Sequence, residues 1–422
     1  MMNSNEGRIE IRGGKQLKGN ISISGAKNAA LPIMVASLLT KDDIVLNNVP
    51  KLHDVENMAN ILRQLGVQID YRDNIMRIRK GNINPNALSK TSLTREIRYS
   101  IHLIGTLLHH APKIRISLPG GCRIGTRRID SHILGLEKLG ATVTVGEDSI
   151  EAVADRLRGS NMEFEYPSVG ATENIMMAAC MAEGETTIKN VAKEPEIVDL
   201  ANFLNSMGAD IKGAGSGVLK ITGVDELSGV EHSLIPDRIE TGTYLVAAAI
   251  TKGDIVVKNT DLSLLENVVD TLRDIGVEID ESDNGVHVTS SGVFTPTDIV
   301  TEVYPGFPTD MQPIISSLLA VSNGESVITE KIFDNRFNHV PELNKMGANI
   351  RADGESILLS GVKQLVGKDV ESLDIRSGGG LILAGLQATG VTRISGIKQI
   401  FRGYEKPIEK LREIGADISL VK

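Results

Sequence analysis

Six times along the chain an apolar residue, a glycine, a small or branched residue and an alternating strand-like run follow one another, as QLGVQID, KLGATVT, SMGADIK, DIGVEID, KMGANIR and EIGADIS. The glycines at 66, 140, 208, 276, 347 and 415 are spaced by 74, 68, 68, 71 and 68 residues, so six units of similar length account for nearly the whole chain. Such self-similarity at a fixed period is the signature of repeated supersecondary units and constrains the fold more than any local motif. Before each glycine lies a stretch with apolar residues every three or four positions, for example VENMANILRQL or IVDLANFLNSM, and after it a strand-like alternation. The glycine is therefore expected at the helix C-cap, where positive φ is needed.

Earlier in most units comes a more evenly apolar helix, as in AALPIMVASLL, ENIMMAACMAEG, TYLVAAAITKG, MQPIISSLLAVSNG and GGLILAGLQATG, leading into strands such as DIVLNNV, TTIKNV or DIVVKNT. Each unit reads strand, helix, strand, helix, then one or two strands. A unit with two helices is too large for a short solenoid repeat, and six fall into two groups of three. The expectation is α/β, with two similar domains of pseudo-threefold symmetry, consistent with what 422 residues allow.

Several function classes are disfavoured. A net charge of −9 with aromatics at 3% and no Trp lacks both the basic footprint and the stacking platforms of nucleic-acid binders. No apolar run approaches the ~20 residues of a membrane-spanning helix. The opening MMNSNEGRIEIRGGKQL has no apolar centre or small-residue cleavage site, so a cytoplasmic protein is expected. The two cysteines, Cys122 and Cys180, stand in unlike contexts, which argues against a disulfide or a paired metal motif. Cys180, in the apolar IMMAACMA, reads as a small buried hydrophobe. GAGSG at 213 to 217 runs into a strand rather than a helix, so it reads as a hairpin turn and not a phosphate loop. The eight histidines form no metal-ligand pattern, and His109-His110 reads as an exposed helix end. Neither metal nor cofactor is expected.

The residues that carry chemistry sit in a few distinctive segments. Cys122 lies in LPGGCRIGTRR, after two glycines and beside Arg123, Arg127 and Arg128, a setting that favours the thiolate. Asp310 in FPTDMQ opens an apolar helix, where a carboxylate also serves as a cap. Lys27 and Asn28 in SGAKNAA begin the first repeat helix, where cation, amide and helix N-terminus can converge on an anion. Arg127 and Arg402, the latter in FRGYEKP, supply planar guanidinium forks suited to phosphate and carboxylate.

These segments, together with YPSVGATENIMMAA, EPEIVDLANFL, LIPDRIETGTYLVAAA, FDNRFNHVPEL and FRGYEKPIEKL, resemble the enolpyruvyl transferase family over essentially the full length. The Cys loop points within it to the branch acting on a uridine diphosphate sugar. The resemblance implies six βαβαββ units in two inside-out α/β domains, residues 27 to 234 in one and 1 to 26 plus 235 to 422 in the other, with ligands in the cleft. It implies transfer of the enolpyruvyl group of phosphoenolpyruvate to the 3′-hydroxyl of UDP-N-acetylglucosamine with release of phosphate, the first committed step of peptidoglycan precursor synthesis. Such a transfer needs a base for the hydroxyl, an acid for the methylene carbon and cations for phosphate and carboxylate.

By the same resemblance Cys122 is the proton donor, able also to form a phosphoenolpyruvate adduct and to be alkylated by fosfomycin, and Asp310 is the base. Lys27 and Arg402 join them, with Arg127 gripping phosphate or carboxylate. Asn28, Arg98, Arg127, Arg128, Ile129, Asp130, Ser131, Tyr166, Pro167, Ser168, Val169, Asp310 and Ile332 are implied to contact the ligands, with Arg336, Asp374 and Arg376 as further polar groups and Asp54 and Glu194 as matching acidic positions. On the residues alone, Arg98 reads as one more solvated arginine of an amphipathic helix, Ile332 as core, and Arg336, Asp374 and Arg376 as caps or ion pairs. Departures from the family pattern are Arg128 where Pro is usual, Tyr99 where a small residue is usual, and the glycine run at 378 to 380, expected to loosen a loop. The shikimate-phosphate branch, a paralogue acting on another uridine nucleotide, and a non-catalytic relative are the alternatives; Cys122 with FPTDMQ argues against the first.

Overall fold

The computed structural model describes residues 7–421 apart from 80, 121–128 and 335. Cys122, Arg123, Arg127 and Arg128 lie outside the described residues. The chain divides into two compact units. One takes both chain ends, up to Ser24 and from Pro236 onward; the other takes the stretch from Gly25 to Ile235.

In each unit the evenly apolar helices are central. Arg238–Ile250 is buried at every position, as is Gln312–Leu319, and Ile375–Gln387 at all but its last residue. These three pack on one another, as do Lys27–Ala36, Leu103–Leu107 and Val169–Ala179 in the other unit. A helix apolar all round must be enclosed, and each buried aliphatic side chain adds about 1.5–3 kcal/mol. The amphipathic helices do the opposite. Glu266–Ile275 buries Val268, Val269, Leu272 and Ile275, one stripe at three- and four-residue steps, and leaves the rest to solvent.

Among the described residues there are five four-stranded sheets and one of three strands, three to each unit. The pattern is constant: Asn161–Glu163 lies parallel to Glu185–Lys189, which pairs antiparallel with Val218–Thr222, which in turn pairs with Asp210–Lys212. This is the expected βαβαββ unit. The three-stranded sheet, Lys113–Ser117, Ser149–Val153 and Thr142–Val145, lacks the parallel edge strand, and the 3-10 turn Pro85–Lys90 packs beside it instead. All six signature glycines have φ between 93° and 108°, as the helix-to-strand turn requires. In five repeats the glycine is one residue past the cap; only Gly276 is itself the cap.

The sequence pattern misleads about which strand completes which unit. Lys18–Ser22 immediately precedes the helix Lys27–Ala36, yet it lies parallel to Asp254–Lys258 of the end-built unit. Conversely Glu231–Ser233, which precedes Arg238–Ile250, lies parallel to Ile44–Asn47. The chain crosses between units at these two points, so each of two repeats takes its first strand from far along the sequence. Arg8–Arg12 likewise completes the last repeat, between Val391–Ser395 and Asp417–Val421.

The GAGSG segment joins the antiparallel strands Asp210–Lys212 and Val218–Thr222, the hairpin turn expected. Cys180 is fully buried, and burial pushes its thiol up to about 12. The His109-His110 pair is not an exposed helix end: both are half-buried, with Nε2 on the carbonyls of Ala178 and Leu38 at 2.9 and 2.8 Å. Burial lowers the pKa of His109, the Ala178 contact opposing it. The glycine run 378 to 380 is also not a loop. It lies inside the buried helix Ile375–Gln387, where a Cβ on Gly380 would come within 2.5 Å of the Pro313 carbonyl oxygen, so its lack of side chain lets two central helices touch.

Candidate functional site

In the end-built unit Asp310 occupies the 3-10 turn Thr309–Met311 that opens Gln312–Leu319, a helix started by Pro313. It does not cap that helix. Its Oδ1 accepts from Arg336 Nη2 at 2.8 Å and its Oδ2 from Arg376 Nε at 3.1 Å. Both arginines are almost fully buried, whereas about a quarter of the Asp310 side chain is exposed. Two buried cations thus aim one carboxylate toward solvent, each bond charge-assisted. Arg336 Nη1 also donates to Thr309 Oγ1 at 2.8 Å, and Thr309 donates to the buried Glu330 at 2.8 Å. Glu330 receives the backbone N–H groups of Ile332 and Phe333 as well, which fixes the segment after the strand Glu325–Thr329. Ile332 is half-buried there and not core.

Arg376 sits in the first turn of Ile375–Gln387. Asp374 caps that helix through a complete capping box with Ser377, taking the N–H groups of Arg376 and Ser377 at 3.0 Å each. Burial works against the charge of Arg376, but Asp310, with Tyr404 and Asp237, outweighs it and raises the pKa further. The guanidinium also lies over the Tyr404 ring, 5.4 Å from its centre. Arg402 follows Ile397–Ile400 and donates to Gln399 Oε1 at 2.9 Å. Its neighbour Gly403 packs so closely on Ile375 that an added Cβ would clash with that side chain, and Arg376 Nη1 lies at ordinary contact distance, 3.6 Å, from the same point. Asp310, Arg336, Asp374, Arg376 and the Arg402 turn therefore share one neighbourhood.

In the other unit Lys27 is the first residue of Lys27–Ala36 and Asn28 the second, at a helix start without a side-chain cap. Lys27 is only 7% exposed, contrary to the solvated lysine expected of a bland surface position, and its Nζ lies 3.6 Å from Asp54 Oδ2, itself buried. A buried ammonium is expensive unless paired, and Asp54 supplies the pairing here, beside a helix start without a side-chain cap, where backbone N–H groups favour anions. Glu194 precedes Pro195–Ser206 at the N-cap position and makes no capping bond.

Arg98 is half-buried and opens a 3-10 stretch, Arg98–His102, rather than lying on an amphipathic helix. Ser100 Oγ donates to the carbonyls of Thr94 and Ile97, local bonds that compete with helical ones. Ile129, Asp130 and Ser131 form the start of Asp130–Lys138, with Asp130 exposed. Tyr166 is exposed, Pro167 is half-buried, and Ser168 caps Val169–Ala179 by accepting from Ala171 N at 3.3 Å. Residues not singled out from the sequence tie these segments together: Glu173 bonds His102 at 2.8 Å and Asn174 bonds His132 at 3.1 Å. Their signal was the polar TEN set inside an otherwise apolar helix. Gln312 and Glu240, also polar and buried within apolar helices, carried the same signal.

Residues 11–411 match the model of the family described as EPSP synthase (3-phosphoshikimate 1-carboxyvinyltransferase). Among solved structures, the enolpyruvyl transferase NikO from Streptomyces tendae superimposes with a TM-score of 0.86, covering 99% of each chain at 23% identity. EPSP synthase from Acinetobacter baumannii does so with 0.75, at 19% identity over 99% of this chain and 100% of that one. The fold is thus that of the enolpyruvyl transferases, two inside-out α/β domains of repeated βαβαββ units. Sequence narrows the class. UDP-N-acetylglucosamine 1-carboxyvinyltransferase of Granulibacter bethesdensis is 50% identical over 98% of this chain and 99% of that protein, and a second-numbered enzyme of the same name from Carboxydothermus hydrogenoformans is 48% identical with the same coverage. The protein of that name from Halothermothrix orenii is 47% identical over 99% of this chain. The chain belongs to the UDP-N-acetylglucosamine 1-carboxyvinyltransferase family.

Proposed function

We infer that this protein transfers the enolpyruvyl group of phosphoenolpyruvate to the 3′-hydroxyl of UDP-N-acetylglucosamine, releasing phosphate, as a cytoplasmic step in peptidoglycan precursor synthesis. The observation that carries the reading is near 50% identity, end to end, with relatives bearing that activity as their name. No helix among the described residues is long and apolar enough to cross a membrane, in keeping with soluble substrates.

The chemistry is addition followed by elimination. The 3′-oxygen loses its proton to a base and bonds to C2 of phosphoenolpyruvate while an acid protonates C3; the C2–O bond to phosphate then breaks as a proton leaves C3. Asp310 is the base, and the paired Arg336 and Arg376 support the role by fixing the direction of both carboxylate oxygens. Cys122 is the acid for C3, and its Gly-Gly-Cys-Arg setting supports this. Lys27, Arg127 and Arg402 meet the phosphate and carboxylate of phosphoenolpyruvate. Asn28, Arg98, Arg128, Ile129 to Ser131, Tyr166 to Val169 and Ile332 meet the sugar nucleotide.

Phosphate release is the test. Purified protein with phosphoenolpyruvate should release phosphate only when UDP-N-acetylglucosamine is added, unaffected by chelator, and Cys122→Ser or Asp310→Ala should abolish it. Release with shikimate 3-phosphate or another uridine nucleotide, and none with this sugar nucleotide, would overturn the assignment.

A further inference from the structure

The middle unit holds a buried polar cluster that the reaction does not use directly. His102, His132, Glu173 and Asn174 are each at most 5% exposed, and Glu173 and Asn174 are fully buried one turn into Val169–Ala179. A core position of this kind is ordinarily apolar, because buried polar groups stabilise only when satisfied.

The bonds are specific. His102 Nδ1 lies 3.1 Å from the Tyr99 carbonyl oxygen, which can only accept, so Nδ1 carries a hydrogen. Nε2 of the same ring lies 2.8 Å from Glu173 Oε2. One proton must therefore lie on that line, held either by the ring or by the carboxyl, and the pair is neutral overall in both forms. Burial raises the Glu173 pKa, with His102 opposing it, while its Oε1 meets no donor among the described residues. Tyr99 stacks on His102 at 4.9 Å, and His132 meets His102 edge-on at 5.7 Å. Beside Glu173, Asn174 Oδ1 accepts from the Gly105 N–H at 3.3 Å, which leaves its Nδ2 to donate to His132 Nδ1 at 3.1 Å.

We propose that Glu173 and Asn174 are positioning residues for the nucleotide half of the substrate. Glu173 grips the Arg98–His102 turn through His102, and Asn174 grips the start of Asp130–Lys138 through His132. Both project from the helix whose preceding residues are Tyr166 to Ser168. Two adjacent side chains thus hold in mutual register the three segments assigned to the sugar nucleotide, without touching it. The inference rests on the function proposed above. It explains why a helix buried against its neighbours keeps a carboxyl and an amide where leucine would pack.

The test combines titration calorimetry of UDP-N-acetylglucosamine with steady-state kinetics on wild type, Glu173→Gln and the double variant His102→Leu/Glu173→Leu. The double variant removes both members of the buried pair and leaves only the Tyr99 carbonyl, in a half-buried turn, without its donor, so it is expected to fold with a melting temperature near wild type. It is expected to bind the sugar nucleotide about tenfold more weakly, with KM for that substrate rising in step while kcat and the phosphoenolpyruvate KM stay within about twofold. Glu173→Gln, whose amide can donate to His102 Nε2, should restore wild-type binding. Should the double variant fail to fold, Asn174→Ala is read in its place, with the same KM effect expected. Unchanged affinity in the variants, a fall in kcat alone, or a Gln variant as weak as the apolar pair would overturn the proposal. A wild type that binds no UDP-N-acetylglucosamine would overturn the functional reading and this inference together, whereas wild-type binding with indifferent variants overturns this inference alone.

Discussion

In the proposed reaction Asp310 accepts a proton from a sugar hydroxyl while two buried guanidiniums hold its oxygens. The arginines fix the direction of both carboxylate oxygens, an arrangement that suits a carboxylate whose orientation matters. Asp310→Asn keeps one acceptor for the arginines and removes the base. Turnover should fall by about 10²–10⁴-fold, while calorimetric melting shows a far smaller change than complete loss of fold. A second residue-scale expectation concerns His339, fully buried with Nε2 on Ser316 Oγ at 3.1 Å. Burial holds its pKa at about 4 against an ordinary 6.5, with Asp374 opposing and Arg336 reinforcing the shift. Between those values the unfolded chain binds a proton that the folded chain refuses, so stability contributed by neutral His339 is complete above pH 6.5 and drains as pH falls toward 4. At pH 4.5 the loss is a few kcal/mol, and denaturant unfolding of His339→Gln should show a correspondingly flatter acid limb than wild type.

At the scale of elements, the six glycine-terminated stretches and the five evenly apolar helices are legible because helix stripes and glycine stops are local properties of sequence. The six glycines announce themselves by spacing alone, and their positive φ is the physical reason for it. What local pattern could not convey is a polar group's partner or a glycine's neighbour. The Gly378 to Gly380 run looks like a loop in sequence, yet it is the contact surface of a central helix, because only a missing Cβ allows approach to Pro313 and Ser317. Gly380→Ala is expected to cost about 1–3 kcal/mol of stability in urea unfolding. Gly146→Ala, where the nearest atom to an added Cβ is the Ser149 carbonyl oxygen at an ordinary 3.6 Å, should stay within about 0.5 kcal/mol. The Arg98 turn was misread for a similar reason: its helix-like periodicity is overridden by Ser100 bonding to the carbonyls before it.

For the whole molecule, the repeat predicts how many units there are but not which strand closes each one. A strand followed by a helix reads the same whether its hydrogen bonds go to the next strand or to one over 200 residues away, as Lys18–Ser22 does with Asp254–Lys258. The same non-local closure makes the first strand indispensable. Ile9 and Ile11 are fully buried, and Arg8–Arg12 pairs on both edges, with Val391–Ser395 and with Asp417–Val421. Burial of the two isoleucines alone is worth about 3–6 kcal/mol, comparable with the total stability of a domain. Removing residues 1 to 12 should therefore abolish or sharply lower the calorimetric transition of the end-built unit. The central claim concerns what the assembled chain makes, and it is tested most directly by mass analysis of the nucleotide product after incubation with phosphoenolpyruvate and UDP-N-acetylglucosamine. The account predicts UDP-N-acetylglucosamine heavier by one enolpyruvyl unit, formed one for one with phosphate and about 10²–10⁴-fold more slowly with Asp310→Asn. A sugar nucleotide left unaltered, while a parallel incubation with shikimate 3-phosphate gives the enolpyruvyl product, would contradict it.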